Sequence, residues 1–264
     1  MKVSVNPIAI GFFIAATIGF SAQAYADGGK GLDIAKEMKT RSQGWGDSAS
    51  QLVMELRTAN GDSSVRKLRV KSLEVQDDGD KGMTIFDEPK DVRGTVFLTY
   101  SHVNKPDDQW LYLPALKRVK RIASRNKSGP FMGSEFAYED LSSFELNKYS
   151  FTYLRDEKVG GVDSFVVEQI PTDQFSGYTK QIVWVGKEHY RIQKVEFYDR
   201  KKTLLKTLKT SDYKQHLDKY WRAHRLEMTN HQTGKSTVLT TDSITFNNGL
   251  KASDFSKSSL RRVR

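Results

Sequence analysis

The chain has 264 residues, a formal net charge of +10 and no cysteine. This length suffices for one large domain that buries its own hydrophobic core. The lack of cysteine excludes a disulfide framework, a cysteine-based zinc site and acylation of a cysteine behind a signal peptide. The basic excess favours anionic partners, such as lipid headgroups or acidic protein surfaces.

The first 26 residues have the pattern of a secretory signal peptide. Lys2 precedes an apolar run, and Ala24 and Ala26 are small residues at the recognition positions of a cleavage site. A membrane anchor is the alternative, but the apolar run is shorter than the ~20 residues that a spanning helix needs. We therefore expect cleavage after Ala26.

The predicted mature chain, residues 27–264, is expected in the periplasm of a Gram-negative cell. It carries no cysteine for lipidation, and it keeps a net charge of +9 because Lys2 is the only charged residue removed. Export argues against nucleic acid, which is the other usual partner of a basic chain.

Beyond the signal peptide, a short helix precedes a long series of strands. Apolar residues at helical spacing predict one amphipathic helix over residues 32–41. The apolar period then changes to two, and turn residues such as Asn60-Gly61 separate the runs. The runs that predict strands are 52–56, 65–75, 83–86, 95–103, 110–114, 117–122, 149–154, 164–170, 181–185, 192–198, 204–208, 220–228 and 236–246. Short strands without alternating helices predict a mainly β chain, an antiparallel sheet curled into a barrel or a sandwich.

Residues 124–143 interrupt this series of strands. They are rich in glycine, serine and aromatic residues, and we expect them to form a loop with a helical turn over one mouth of the sheet. No internal repeat, low-complexity linker or change of composition indicates a second domain. Residues 27–264 are therefore predicted to form one domain.

No arrangement of residues predicts catalysis or a cofactor. The five histidines are far apart in sequence, and none belongs to a metal-binding pair. Asp77, Asp78 and Asp80 lack the spacing and the closing glutamate of a calcium loop, and predict a solvated turn. Ser134 follows Gly133 but lacks the second glycine of a nucleophile elbow and a nearby histidine. We expect no enzyme, no metal site and no cofactor.

A stretch of positive charge without acids covers residues 109–134. Its predicted hairpin contains Lys117, Arg118, Lys120 and Arg121. One interpretation is a solvated strand face with a turn. The other is a docking patch for an anionic membrane surface or an acidic rim on a partner protein, because charges of one sign repel each other without a partner. Alternation places Lys117 and Arg121 on one face and Arg118 and Lys120 on the other, so only a projecting hairpin lets all four dock.

Three motifs carry a resemblance to a known family. The motifs are Arg93-Gly94-Thr95 after Pro89, the run from Trp110 to Pro114 ahead of the cationic segment, and Phe131-Met132-Gly133-Ser134. Together they resemble the outer-membrane lipoprotein-sorting (LolA-like) family, and weaker matches extend the resemblance over nearly all of the mature chain. Family members commonly carry aspartate where this chain has Glu135, and glycine where it has Lys202.

The resemblance implies an unclosed antiparallel β-barrel, LolA/LolB-like, with a short N-terminal helix and a helical or loop lid that shields lipid tails from water. It also implies a lipid shuttle that works with an inner-membrane exporter of the resistance-nodulation-division (RND, MMPL-type) class. Large apolar side chains of the strands and of the central loop are then expected to form a cavity for acyl chains. These candidate cavity residues are Phe97, Trp110, Tyr112, Phe131, Met132, Phe151, Tyr153, Trp184, Phe197 and Tyr198.

The predicted function is a periplasmic carrier that binds the acyl chains of a lipid or lipoprotein without covalent chemistry. The alternative is an adaptor of an exporter complex that has a filled core and binds proteins only. Lipid retained on the purified protein distinguishes the carrier from the adaptor.

Overall fold

One antiparallel sheet dominates the fold. A computed structural model of the protein describes residue 1 and residues 28–262. Helix α1 covers Gly28–Arg41 and precedes all the strands. The strands are β1 (Asp47–Arg57), β2 (Ser63–Leu73), β3 (Lys81–Glu88), β4 (Val96–Tyr100), β5 (Asp108–Leu113), β6 (Arg118–Ile122), β7 (Tyr149–Val159), β8 (Val162–Pro171), β9 (Lys180–Gly186), β10 (Ile192–Tyr198), β11 (Leu204–His216), β12 (Tyr220–Asn230) and β13 (Ser236–Phe246). The predicted signal peptide, residues 1–26, lies outside the described residues except for residue 1.

The spatial order of the strands is β6-β5-β4-β3-β2-β1-β13-β12-β11-β10-β9-β8-β7. Within residues 28–262, β6 and β7 are the two edges and do not pair with each other, so the sheet does not close. One apolar cluster contains Leu111 and Ile122 from one end of this order and Phe151 and Val167 from the other. The sheet therefore curls around a shared core, which confirms the predicted unclosed antiparallel architecture with a short N-terminal helix.

Glycine permits a tight turn and a close contact between helix and strand in this fold. Gly160 and Gly161, with φ of 57° and 83°, form the turn between β7 and β8, where two left-handed residues match the twist of a hairpin. Gly31 of α1 lies against β7, and a Cβ atom there would be 2.7 Å from the backbone nitrogen of Tyr153. This contact holds α1 close to the sheet. None of the helices within residues 28–262 has the length and apolar composition needed to cross a bilayer.

Both faces of the sheet bury apolar side chains. The concave face holds the largest cluster, to which α1 contributes Ile34 and Ala35. On the convex face, Phe255 and Leu260 from the C-terminal segment cover β3, β4 and β5. A third cluster lies on the convex face around Trp184 of β9. Alternation along a strand therefore cannot by itself tell which apolar residue faces the concave side.

Candidate functional site

An open cavity of about 1220 Å³ lies on the concave face, along strands β8 to β12. Its volume exceeds the ~300–1,000 Å³ of typical small-molecule pockets. Alternate residues of these strands point into it, because successive side chains of a strand face opposite sides. The apolar residues of its wall are Val183, Val195, Phe197, Leu208, Leu226 and Met228.

The cavity is elongated in the direction of the strands. Phe175, in the loop between β8 and β9, lines one end, and Lys219, in the turn between β11 and β12, lines the other. These two connections lie at opposite ends of the antiparallel strands. Helix α1 adds Met38 to the wall. The resulting space is a long apolar trough with polar residues at both ends.

The central loop, residues 123–148, fills the rest of the concave face. Its Phe131 is 1% exposed, and its ring centroid lies 5.8 Å from that of Phe86 on β3 and 5.2 Å from that of Phe97 on β4. Tyr138 from the same loop packs edge-on against Phe131 at 5.6 Å. The loop thus occupies the part of the trough that faces β3 and β4.

A buried ion pair fixes the central loop at the border of the cavity. Nζ of Lys206, on β11, lies 2.7 Å from Oδ2 of Asp140 and donates to the carbonyl oxygen of Glu135 at 2.9 Å. The two side chains are only 4% and 9% exposed. Tyr178 Oη donates to the other carboxylate oxygen of Asp140 at 2.8 Å. Burial raises the pKa of Tyr178 well above its usual value, so this donor keeps its proton.

Glu139, beside this pair, also joins the loop to the neighbouring strand connection. Its carboxylate accepts hydrogen bonds from Ser176 Oγ at 2.7 Å and from the Gly177 amide at 2.8 Å. Burial raises the pKa of Glu139 despite these donors. The acids at this end of the cavity are therefore held by partners of the protein itself.

The structure places six of the ten candidate cavity residues in the concave cluster. Phe197 lines the open cavity, with its ring 4.9 Å from that of Tyr178. The other five lie in the packed parts of the concave face, next to the central loop or helix α1. These five are Phe97, Phe131, Met132, Phe151 and Tyr153.

The cavity assignment has to be corrected for the other four candidates, which lie on the convex face. Trp110 and Tyr112 pack with Phe255 of the C-terminal segment. Trp184 and Tyr198 belong to the other convex cluster. Nζ of Lys194 lies 3.5 Å from the ring centroid of Trp184. The physical reason is that β5, β9 and the Phe197-Tyr198 end of β10 are apolar on both faces, so their alternation does not indicate which face is concave.

The cations of the predicted docking patch are away from the cavity. Lys117, Arg118, Lys120 and Arg121 are exposed on edge strand β6 and the turn before it. Val119 packs into the convex cluster, so the register places Arg121, with its pairing partner Trp110, on the convex side. Arg121 Nη2 lies 2.6 Å from Asp108 Oδ1.

The sequence prediction missed a cationic and aromatic group at the far end of the cavity. Arg191, Tyr213, Trp221 and Arg222 all line it there. The sequence does contain a signal for this group: an arginine directly follows an aromatic residue at Tyr190-Arg191 and again at Trp221-Arg222. Asp212, with φ of 51°, disturbs the regular alternation along β11, so alternation does not predict that Tyr213 faces the cavity.

Solved structures share this arrangement over most of the chain. The outer membrane lipoprotein-sorting protein domain of Vibrio parahaemolyticus is 65% identical, with a TM-score of 0.88, over 89% of this chain and 100% of that domain. The chain belongs to the outer-membrane lipoprotein-sorting, LolA-like family. A DUF1329 family protein of Desulfovibrio piger is 28% identical over 88% of this chain and 98% of its own, with a TM-score of 0.82.

The LolA-like fold extends to more distant proteins. A LolA superfamily protein of Nitrosomonas europaea is 20% identical over 87% of this chain and 98% of its own, with a TM-score of 0.70, a likeness of fold alone. A family model described only as that of an uncharacterized protein matches residues 78–262. No curated protein sequence matches the chain.

The LolA-like motif residues shape turns. Gly94 has φ of 77°, and a Cβ atom there would be 3.3 Å from Pro114 Cγ, so the first two motifs pack against each other. Arg93 Nε donates to the Asp87 carbonyl oxygen at 2.9 Å. The remaining first-motif residue, Thr95, is buried, and its amide donates to the Val92 carbonyl oxygen.

The third motif lies within the central loop. Gly133 has φ of 77°, and Ser134 Oγ donates to the Phe131 carbonyl oxygen at 2.7 Å. The two departures from the family pattern also have local explanations. Glu135 accepts a hydrogen bond from Asn230 Nδ2 at 2.7 Å, and Lys202 has φ of 62°, a conformation that favours glycine. Across residues 28–262, no group of three or more histidines and acids has the geometry of a metal site.

Proposed function

We propose that the protein is a periplasmic carrier that holds the acyl chains of a lipid or lipoprotein in the cavity along β8 to β12. One observation carries this proposal: the trough is open, elongated and lined by Val183, Val195, Leu208 and Met228. Burial of acyl chains there contributes roughly 0.8 kcal/mol per CH₂ group. Membership of the lipoprotein-sorting family supports the same cargo class.

Transport needs no chemistry in this mechanism. The signal peptide is removed after Ala26, and residues 27–264 act as one domain that binds cargo without a cofactor. The carrier takes the chains from one envelope membrane and passes them to a site of higher affinity. The protein is not an enzyme in this proposal, and the buried Ser134 hydroxyl closes a turn of the central loop.

The proposed partner is an inner-membrane exporter of the RND, MMPL-type class. Lys117, Arg118, Lys120 and Arg121 dock on its acidic rim or on an anionic membrane surface. Their exposure at an open sheet edge supports this role, since a basic edge attracts acidic surfaces and resists pairing with other strands.

Native mass spectrometry of the protein isolated from cells without detergent tests the carrier. We expect part of the population to retain a lipid mass, and Val195→Asp to remove it, because a charge on the apolar wall is costly to desolvate. The control is Val65→Asp, at an exposed position on β2. Protein that carries no lipid, and takes none up from vesicles, would contradict the carrier and favour the adaptor.

A further inference from the structure

Two arginines line the far end of the cavity and have no carboxylate partner among residues 28–262. Arg191 has its guanidinium carbon 4.4 Å from the ring centroid of Trp221 and 4.8 Å from that of Tyr213. The rings fix the guanidinium plane by cation–π stacking and leave its N–H edges free to donate. Within residues 28–262, the Arg191 side chain has no protein hydrogen-bond acceptor and no ion pair.

Arg222 is the second of these cations. Its Nη1 donates to the Trp221 carbonyl oxygen at 3.1 Å, and no carboxylate of the described chain lies within ion-pair distance. Burial lowers the pKa of Arg222, although Glu74 and Asp80 act at longer range to raise it. A single carbonyl satisfies few of the five N–H donors of a guanidinium, and a partly buried guanidinium is favourable only when further acceptors are near.

The other charges around this end do not supply that acceptor. Lys219 adds a further cation to the lining, and Arg41, which also lines it, is paired with Glu37 at 2.7 Å. Asp218 is the carboxylate that lines this end of the described cavity, and it is exposed in a turn. Glu188 is exposed and lies 3.2 Å from His189. Positive charge therefore exceeds negative charge here.

The opposite end of the cavity is different, because two of its lining lysines have carboxylate partners. Lys127 lies 2.7 Å from Asp173, and Lys148 pairs with Asp107. Asp140 is held by Lys206. The unpaired arginines are thus a property of one end of the trough and not of its whole rim.

We propose that Arg191 and Arg222 bind the anionic headgroup of the cargo, a phosphate or a carboxylate, while its acyl chain extends along the strands toward Phe197. Each guanidinium group donates several hydrogen bonds in its own plane. This geometry matches the arrangement of the oxygens in a phosphate or a carboxylate. The apolar wall between the two ends then receives the chain. This inference rests on the proposed carrier function and specifies the chemistry and direction of its cargo.

Fluorescence titration with a labelled fatty acid and its methyl ester tests the proposal, because the two probes share one chain and differ in headgroup charge. We expect the wild-type protein to bind the acid about tenfold more tightly than the ester. Arg191→Gln, and the double variant Arg191→Gln/Arg222→Gln, should remove this preference by weakening binding of the acid far more than binding of the ester. The matched control is Arg118→Gln, an exposed arginine outside the cavity, which should keep the preference.

The outcomes separate this inference from the carrier function. Binding of both probes with equal affinity by the wild-type protein leaves the carrier intact and contradicts the headgroup site, and this comparison needs no variant to fold. Binding of neither probe contradicts both proposals. An equal loss of acid and ester in Arg191→Gln means that the arginine only supports the wall. Displacement of the acid by equimolar inorganic phosphate means that the arginines form an anion site independent of a chain.

Discussion

The two halves of the concave face have similar strands but different contents. Over β3 and β4, Phe131 of the central loop is buried and packs against Phe86 and Phe97. Over β8 to β12, the corresponding wall around Val195 and Leu208 borders a cavity of about 1220 Å³. We infer from this difference that the position of the central loop, and not the strand pattern, determines where the packed core ends and the cavity begins.

The border between these halves is polar. Lys206 projects from β11 into the core and meets Asp140 and the backbone of Glu135. A charged pair inside an apolar core stabilises little in net terms, but it penalises alternative positions of the loop. We infer that this pair sets the position of the central loop and thereby the size of the cavity.

Removal of the Phe131 ring should have the largest effect on stability. We expect Phe131→Ala to lower the free energy of unfolding by about 3–5 kcal/mol, because it opens a void in the packed half. Phe197→Ala, in the wall of the open half, should cost less, since one side of that ring already borders the cavity. Denaturant titration measures both, and equal losses would contradict a difference in packing between the halves.

Loss of the border pair should have the next largest effect. Lys206→Met removes the cation from the buried Asp140 carboxylate and is expected to cost about 3 kcal/mol. The double variant Lys206→Met/Asp140→Asn should recover part of this loss, because no buried charge is left unpaired. A single variant as stable as the wild type would show that the pair does not hold the loop.

Asp80 provides a pH-dependent test near the same border, where its amide donates to Ser143 of the central loop at 3.3 Å. Burial raises its pKa from 3.8 to about 6. The folded state then binds a proton that the unfolded state releases, so stability falls as the pH rises from about 4 to 6 and stays low above that. Asp80→Asn should remove this slope and gain about 2 kcal/mol at pH 7. Denaturant titrations at pH 4 and 7 measure it, and a slope unchanged in Asp80→Asn would refute it.

The exposed edge strand should have the smallest effect on folding. We expect Arg118→Glu/Arg121→Glu to abolish transport in cells while the unfolding free energy changes by about 0.5 kcal/mol or less, because exposed charges contribute little. Docking of the native protein should weaken as salt rises through the screening range. Full transport by the double variant, or docking that does not depend on salt, would leave this surface an ordinary solvated strand.

Much of the fold follows from local sequence signals. Strand alternation, the Asn60-Gly61 turn and the aromatic loop around Phe131 are sufficient to predict an antiparallel sheet with an inserted segment, whereas its unclosed form is expected only from the family resemblance. The orientation of Trp110 is not predictable in this way, because the covering Phe255 is distant in sequence. The role of Arg191 also depends on a distant residue, the Trp221 ring on which it stacks.

The measurement that tests the central claim most directly is quenching of tryptophan fluorescence by lipids brominated at successive positions of the acyl chain. The protein has four tryptophans, of which Trp221 lines the cavity and Trp110 and Trp184 lie on the convex face. Bromine quenches tryptophan fluorescence only at near contact. At least one brominated position should therefore quench both the wild-type protein and the Trp110→Phe variant. The Trp221→Phe variant should lose most of that quenching. Quenching that survives in Trp221→Phe and disappears in Trp110→Phe would place the acyl chain on the convex face and contradict the account.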